Sequence, residues 1–135
     1  MAHIFLSYSR EDAAIMEQMR NALQDAGCGV WTDEDLSRGS DDWQKAIEAA
    51  IETARCLVVL LSPTAKNSVW VRREISYAET QEVPIFPILV RGTPKDAIPA
   101  AVINHQRADI RTDDDDERQR KISRQAKIIS HYCRE

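Results

Sequence analysis

Hydrophobic positions along the chain form two kinds of pattern, short continuous runs and stripes at helical spacing. The continuous runs His3–Ser7, Cys28–Asp33, Cys56–Ser62 and Val83–Val90 predict four strands, and Arg107–Ile110 predicts a short fifth one. The third run, CLVVLLS, has no polar residue before its last position, which is typical of a strand covered on both faces.

Stripes with a spacing of three and four residues follow the strands and predict amphipathic helices. The first helix is predicted to start at a capping box, Ser9–Asp12, and to end at Gly27. A third helix is predicted as one element from Pro63 to about Gln81. The acidic run Asp113–Glu117 predicts the start of the last helix, because acidic residues are favourable at the positive end of a helix dipole.

Strands and helices therefore alternate five times along the chain. This alternation predicts an α/β protein with a parallel sheet and helices on both faces, joined by right-handed crossovers. A sheet of five such strands is flavodoxin-like, a three-layer fold with the strand order 2-1-3-4-5. We expect residues 1–135 to form one domain, since the sequence has no repeat or long linker.

The predicted topology also indicates where a ligand would bind. Open parallel sheets bind ligands beyond the carboxyl ends of their strands, at the switch point between strands 1 and 3. The residues at these ends are Tyr8, Ser9 and Arg10 after strand 1, Asp33–Trp43 after strand 2, and Ser62 after strand 3.

Composition excludes several classes of protein. The chain has a net charge of -4 and no basic stripe, so we expect no nucleic-acid partner. No apolar run is long enough to cross a bilayer and no signal peptide is visible at the N-terminus. Cys28, Cys56 and Cys133 occur singly, which argues against a disulfide framework or a zinc site and predicts a cytoplasmic protein. The apolar, strand-like surroundings of Cys28 and Cys56 predict that these two thiols are buried.

Several enzymatic motifs are missing from the sequence. The chain has four glycines and contains no GxGxxG, no GxxxxGK[ST] and no GxSxG motif. Dinucleotide binding of the Rossmann type, P-loop hydrolysis and the α/β-hydrolase mechanism are therefore not expected. A phosphorelay receiver requires an aspartate at the end of strand 3, where this chain has Leu61, Ser62 and Pro63.

Within the third helix, a carboxylate and two aromatic rings share one edge. Trp70, Glu74 and Tyr77 lie along this edge, next to the core stripe that includes Val71 and Ile75. A carboxylate beside aromatic rings suits chemistry at an anomeric carbon, where it stabilises an oxocarbenium-like centre or attacks it. The alternative is structural: the glutamate pairs with a surface arginine and the tryptophan belongs to the core.

Four segments resemble, in order, the motifs of the TIR (Toll/interleukin receptor) domain family in its bacterial form. They are HIFLSYSRED, VWTDEDLSRGSDDW, LVVLLSPTAKNSVWVRREISYA and PIFPILV, and the resemblance covers about His3 to Ile110. It implies the same five-stranded flavodoxin-like fold. TIR domains usually accompany other modules, so this domain is also expected to be part of a longer chain.

The resemblance implies an enzyme that breaks the bond between nicotinamide and ribose in NAD+, giving nicotinamide and ADP-ribose or a cyclic isomer. Its catalytic glutamate lies in a W-x-x-x-E stretch, which here ends at Glu74, and it uses NAD+ as substrate with no metal or cofactor. The implied substrate contacts are Tyr8, Ser9 and Arg10 beside strand 1, Asp33, Leu36, Gly39 and Trp43 in the mobile loop after strand 2, and Trp70, which stacks on a ring.

The family resemblance leaves other functions open. Some TIR domains are adaptors without catalysis that act through TIR–TIR contacts, although the glutamate at position 74 favours an enzyme. A nucleoside deoxyribosyltransferase would use similar glutamate chemistry on a related sheet. For the enzyme, the family implies activation by self-assembly into a homo-oligomer or filament, with antiphage defence as a plausible role.

Overall fold

The centre of the molecule is a five-stranded parallel sheet. The computed structural model describes residues 3–33 and 41–133. The strands are β1 (His3–Ser7), β2 (Gly29–Trp31), β3 (Cys56–Leu61), β4 (Ile85–Leu89) and β5 (Ala108–Asp109). Their order in the sheet is β2-β1-β3-β4-β5, and all four neighbouring pairs are parallel. The predicted flavodoxin-like topology is confirmed.

In residues 3–33 and 41–133, six helices and two 3-10 turns connect the strands. The helices are α1 (Ala13–Asp25), α2 (Asp41–Glu52), α3 (Pro63–Lys66), α4 (Val69–Thr80), α5 (Pro94–Ala97) and α6 (Asp115–Cys133). The 3-10 turns are Arg10–Asp12 and Ala100–Val102. Each strand is followed by at least one described helix, and β4 is followed by the short helix α5 and the second turn.

The prediction of a single helix from Pro63 to Gln81 is wrong, because the structure divides this segment into α3 and α4. Two serines account for the division. Ser62 Oγ accepts a hydrogen bond from the Ala65 amide at 3.1 Å, and Ser68 Oγ accepts one from the Val71 amide at 3.3 Å. Each serine therefore caps the start of its own helix.

Two apolar cores lie on opposite faces of the sheet. Ile4 and Leu6 of β1, and Tyr8 just after it, pack with α1 and α6. Phe5 of β1 packs with α2 and α4 on the other face. The alternation follows from the geometry of a strand, in which successive side chains point to opposite faces. By the same alternation Ser7 lies on the face covered by α2 and α4.

The first helix ends as predicted but does not begin as predicted. At its end, Gly27 has a φ of 93° and the Cys28 amide donates to the Leu23 carbonyl at 2.9 Å, as in a Schellman motif. At its start, Ser9 makes no side-chain capping hydrogen bond, so the predicted capping box is wrong. The Asp12 carboxylate is instead buried and bonded to residues that follow β3 and β4.

The three cysteines are buried free thiols. Cys56 Sγ lies 3.9 Å from Cys133 Sγ. Burial raises the pKa of both thiols above the ordinary cysteine value, which keeps them protonated at neutral pH. The prediction of buried thiols is therefore confirmed. In residues 3–33 and 41–133, no helix has the length and apolar character needed to cross a lipid bilayer.

Candidate active site

Glu74 is a buried carboxylate on α4. Its neighbours Val71, Ile75 and Ala78 form the predicted core stripe, and Glu74 itself is only 5% exposed. Its Oε1 accepts a hydrogen bond of 2.7 Å from Ser7 Oγ, at the end of β1. The carboxylate is thus held between a helix and the central region of the sheet, at the carboxyl end of a strand.

Ser7 is a site residue that the sequence-based prediction did not include. A signal for it exists in the strand periodicity, because Phe5 and Ser7 are two apart and must share a face of the sheet. That face is covered by α2 and α4, where Glu74 lies. Sequence alone does not give the position along the strand at which the α4 helix packs, so the contact itself was not predictable.

A cavity of about 340 Å³ separates α2 from α4 and is open to solvent on one side. Glu74 is part of its lining. The lining residues from α2 are Trp43, Gln44, Ile47, Glu48 and Ile51, and those from α4 are Trp70, Arg73, Glu74, Ser76, Tyr77 and Thr80. The lining thus combines aromatic and aliphatic side chains with polar ones and a buried carboxylate, a combination found in small-molecule sites.

Two tryptophans lie together at the end of the cavity formed by the first turns of α2 and α4. Trp43 is 6% exposed and Trp70 is 38% exposed. Their ring centroids are 4.6 Å apart in an edge-to-face arrangement, and the Arg73 guanidinium lies 5.2 Å from the centre of the Trp70 ring. The contacts with Trp43 and Arg73 orient the Trp70 ring, and part of its side chain remains exposed.

A hydrogen bond links the two helices across the cavity rim. The Tyr77 hydroxyl on α4 donates to a carboxylate oxygen of Glu52 on α2. This hydrogen bond raises the pKa of Tyr77 to about 12, since it stabilises the protonated phenol next to a negative charge. At neutral pH the phenol is therefore a hydrogen-bond donor.

The residues predicted beside strand 1 lie away from this cavity. Tyr8 is buried in the opposite core, against α1 and α6, because it follows Ser7 and points the other way. Ser9 is buried and Arg10 is exposed at the start of the 3-10 turn. None of the three lines the cavity between α2 and α4. Their roles as substrate contacts stay predictions.

The residues predicted after strand 2 have mixed outcomes. Trp43 lines the cavity, whereas Asp33 is buried just beyond β2 and does not. Leu36 and Gly39 lie outside the described residues. The structure thus brings together Glu74, Trp70 and Trp43 from the predicted set, and the assignment of these residues to substrate binding is still a prediction.

A second buried carboxylate occupies the switch point between β1 and β3. Asp12 accepts hydrogen bonds from Ser62 Oγ at 2.5 Å and from Arg91 Nε at 2.6 Å. Arg91 Nη2 also donates to Thr64 Oγ1 at 2.5 Å. We call Asp12, Ser62, Thr64 and Arg91 the switch-point cluster. It joins the segments that follow β1, β3 and β4, at the place where related sheets bind their ligands.

Metal binding has no support in the described part of the chain. Across residues 3–33 and 41–133, no three His, Cys, Asp or Glu side chains are arranged to hold a metal ion. The groups that line the candidate site are Glu74, the aromatic rings and the hydrogen-bonding side chains around it.

Comparison with known proteins agrees with this fold. The TIR domain of the Toll-related receptor TRR-2 from Hydra magnipapillata aligns over 97% of this chain and 99% of its own, with a TM-score of 0.75 and 18% identity. The RPS4 and RRS1 TIR domain heterodimer gives a TM-score of 0.69 at 10% identity, covering 100% of both chains. A flavodoxin-like domain from a Synechococcus species gives 0.65 at 16% identity, covering 96% of each chain.

Sequence comparison gives the family directly. No curated protein matches the chain in sequence. The family model described as the TIR domain matches residues 4–123, which is most of the length of this chain. Together with the strand order and the aligned structures, this match shows that the chain belongs to the TIR domain family.

Proposed function

We propose that this TIR domain is an NAD+ nucleosidase that cleaves the bond between nicotinamide and ribose, with Glu74 as the catalytic carboxylate. One observation carries the proposal: a buried carboxylate lines a cavity beside two tryptophan rings. The products are nicotinamide and either ADP-ribose or a cyclic isomer of it.

The chemistry requires a negative charge next to C1′ of the nicotinamide-bearing ribose. As the bond breaks, positive charge develops at C1′ and a carboxylate at Glu74 stabilises it, while nicotinamide leaves as a neutral molecule. Water or an adenine nitrogen then attacks C1′. No metal is required for departure, because the positively charged pyridinium is already a good leaving group. Trp70 offers a flat surface for stacking a ring of the substrate.

The size of the cavity supports a role for a second copy of the chain. A volume of about 340 Å³ is near the lower end of the range for ligand pockets, so it suits part of a dinucleotide rather than the whole. We propose that a homo-oligomer or filament, formed through TIR–TIR contacts, completes the site and raises activity. The bacterial type of this domain and a role in antiphage defence belong to the same proposal and rest on the family resemblance. A proposed cytoplasmic location rests on the scattered single cysteines.

The central experiment compares Glu74→Gln with the wild type. Concentrated protein is incubated with NAD+, and nicotinamide, ADP-ribose and cyclic products are separated by chromatography. Glu74→Gln keeps the shape and loses the charge, so we expect turnover to fall by about 100-fold or more. Glu79→Gln is the matched control, because Glu79 is an exposed glutamate on the same helix and should leave turnover unchanged. Wild-type turnover in Glu74→Gln would overturn the assignment.

Assembly is tested by the dependence of specific activity on protein concentration. We expect specific activity to rise with concentration and with artificial crowding or fusion to an oligomerising partner. A constant specific activity across the full concentration range contradicts the proposal that a second copy completes the site.

A second candidate function is a non-catalytic adaptor that acts through contacts with other TIR domains. It is favoured by the exposed apolar side chains of Val69 and Trp70, which are 52% and 38% exposed at the start of α4. Exposed apolar side chains next to each other are typical of interaction surfaces. Absence of NAD+ cleavage even in the assembled protein, with TIR–TIR binding that Trp70→Ala weakens, would favour the adaptor.

A further inference from the structure

We propose that Ser7 is a positioning residue for the reaction, whose hydroxyl orients the Glu74 carboxylate and keeps it ionised. This inference rests on the proposed function and extends it to a residue that does not line the cavity. The observation is the hydrogen bond of 2.7 Å from Ser7 Oγ to Glu74 Oε1, between residues that are 67 positions apart in the chain.

Both ends of this hydrogen bond are fixed by packed elements. Ser7 is 1% exposed and pairs with Val59 of β3, in the interior of the sheet. Glu74 lies on α4 between Val71 and Ile75, each 1% exposed. The serine and the carboxylate therefore meet with little freedom to move apart, which is how an enzyme fixes a reacting group before substrate arrives.

The direction of the hydrogen bond decides its chemical effect. The hydroxyl proton is donated to a carboxylate oxygen, and a bond of this kind favours the ionised form. Burial has the opposite effect, since it disfavours the charged form of a carboxyl group. Ser7 thus offsets part of the penalty for burial, so that a carboxylate with very little exposure keeps the negative charge that the reaction needs.

The test uses Ser7→Ala, with Ser7→Thr as the conservative variant that keeps the hydroxyl. We expect kcat to fall by about 10- to 100-fold in Ser7→Ala, the range for a lost hydrogen bond to a charged group, while KM changes by less than about twofold. The acidic limb of the pH profile of kcat should move to higher pH, because Glu74 loses a donor to its ionised form. Ser7→Thr should restore much of kcat and return the acidic limb toward its wild-type position.

A matched control separates positioning from loss of stability. Ser130 is another buried serine, and its Oγ donates to the Ala26 carbonyl at 2.8 Å in the opposite core. Ser130→Ala should lower the melting temperature to a similar degree and leave the pH profile unmoved. If Ser7→Ala and Ser130→Ala give the same pH profile as the wild type, Ser7 is structural only and the inference is overturned.

Direct titration keeps this result distinct from failure of the proposed function. The side-chain carboxyl of Glu74 can be followed by carbon NMR as pH changes, with Glu74→Gln to assign its signal. An upward movement of the Glu74 titration in Ser7→Ala supports control of its ionisation by Ser7, even in a domain that cleaves no NAD+. An unmoved titration overturns the inference, whether or not the wild type is an enzyme.

Discussion

Among the buried carboxylates at the carboxyl ends of the strands, Asp12 and Glu74 have different surroundings. Asp12 and Glu74 are 2% and 5% exposed, and each accepts a hydrogen bond from a serine hydroxyl, at 2.5 Å and 2.7 Å. Asp12 also accepts from the Arg91 guanidinium, inside the switch-point cluster. Glu74 lines a cavity that is open to solvent.

Under the proposed function the two carboxylates have different uses, Asp12 in structure and Glu74 in chemistry. At Asp12, the Arg91 guanidinium donates to one carboxylate oxygen and the Ser62 hydroxyl donates to the other. These hydrogen bonds connect the segments that follow β1, β3 and β4. Removing one partner from such a cluster leaves a buried charge without full compensation, which destabilises the folded state. The main contribution of the cluster is therefore to stability. Glu74 lines a cavity that a ligand can enter, and the proposed reaction uses its charge there.

The largest expected effect on stability is that of Asp12→Asn. We expect it to lower the free energy of unfolding by about 2–3 kcal/mol, less than for a fully buried pair because the Arg91 side chain is 40% exposed. Glu74→Gln should cost about 1 kcal/mol or less, since the amide oxygen can still accept from Ser7. Urea denaturation measures both values.

Asp25→Asn is the control for this comparison, because Asp25 is an exposed aspartate at the end of α1. It should change the free energy of unfolding by less than about 0.5 kcal/mol. The distinction between the two carboxylates fails if Glu74→Gln proves as destabilising as Asp12→Asn.

A smaller effect is expected from Arg91→Lys, which keeps the positive charge and loses the planar fork. The guanidinium of Arg91 bonds to Asp12 through Nε and to Thr64 through Nη2, and an ammonium group cannot reproduce both contacts in the same geometry. We expect a loss of about 1 kcal/mol in the free energy of unfolding. Turnover of NAD+ by the assembled protein should remain unchanged.

Arg72→Lys, at an exposed position on α4, is the control and should alter neither quantity. If Arg91→Lys lowers turnover without lowering stability, the switch-point cluster takes part in the reaction and its assignment to structure is wrong.

The fold was predictable because its signals are local. The continuous run that became β3 and the stripe Val71, Ile75 and Ala78 are visible in windows of a few residues, and the sheet order follows from five alternations. The capping-box pattern at Ser9–Asp12 is also local and misled the prediction. The partners of Asp12 are 50 and 79 residues away, and no local pattern indicates them.

The candidate site was predictable only in part, for the same reason. Trp70 and Glu74 share a helix edge, so their spacing indicated a site. The period of two in a strand turns Ser7 toward α4 and Tyr8 toward the opposite core, while the role of Tyr8 as a substrate contact stays a prediction. The cavity itself depends on how closely α2 and α4 pack, which a single sequence does not specify.

The smallest expected effect concerns a third carboxylate, Glu52, which is bonded to Tyr77 at the exposed rim of the cavity. This hydrogen bond raises the pKa of Tyr77 from 10.0 to about 12. Its contribution to the stability of the folded state is therefore fully present below about pH 10 and is lost as the pH rises toward 12. Tyr77→Phe should leave stability at pH 7 within the error of a urea melt. In a titration followed by ultraviolet absorbance, it should remove a phenol that ionises at about pH 12. A large loss of stability at pH 7 would show that an exposed contact can matter as much as a buried one here, against the comparison of Asp12 with Glu74.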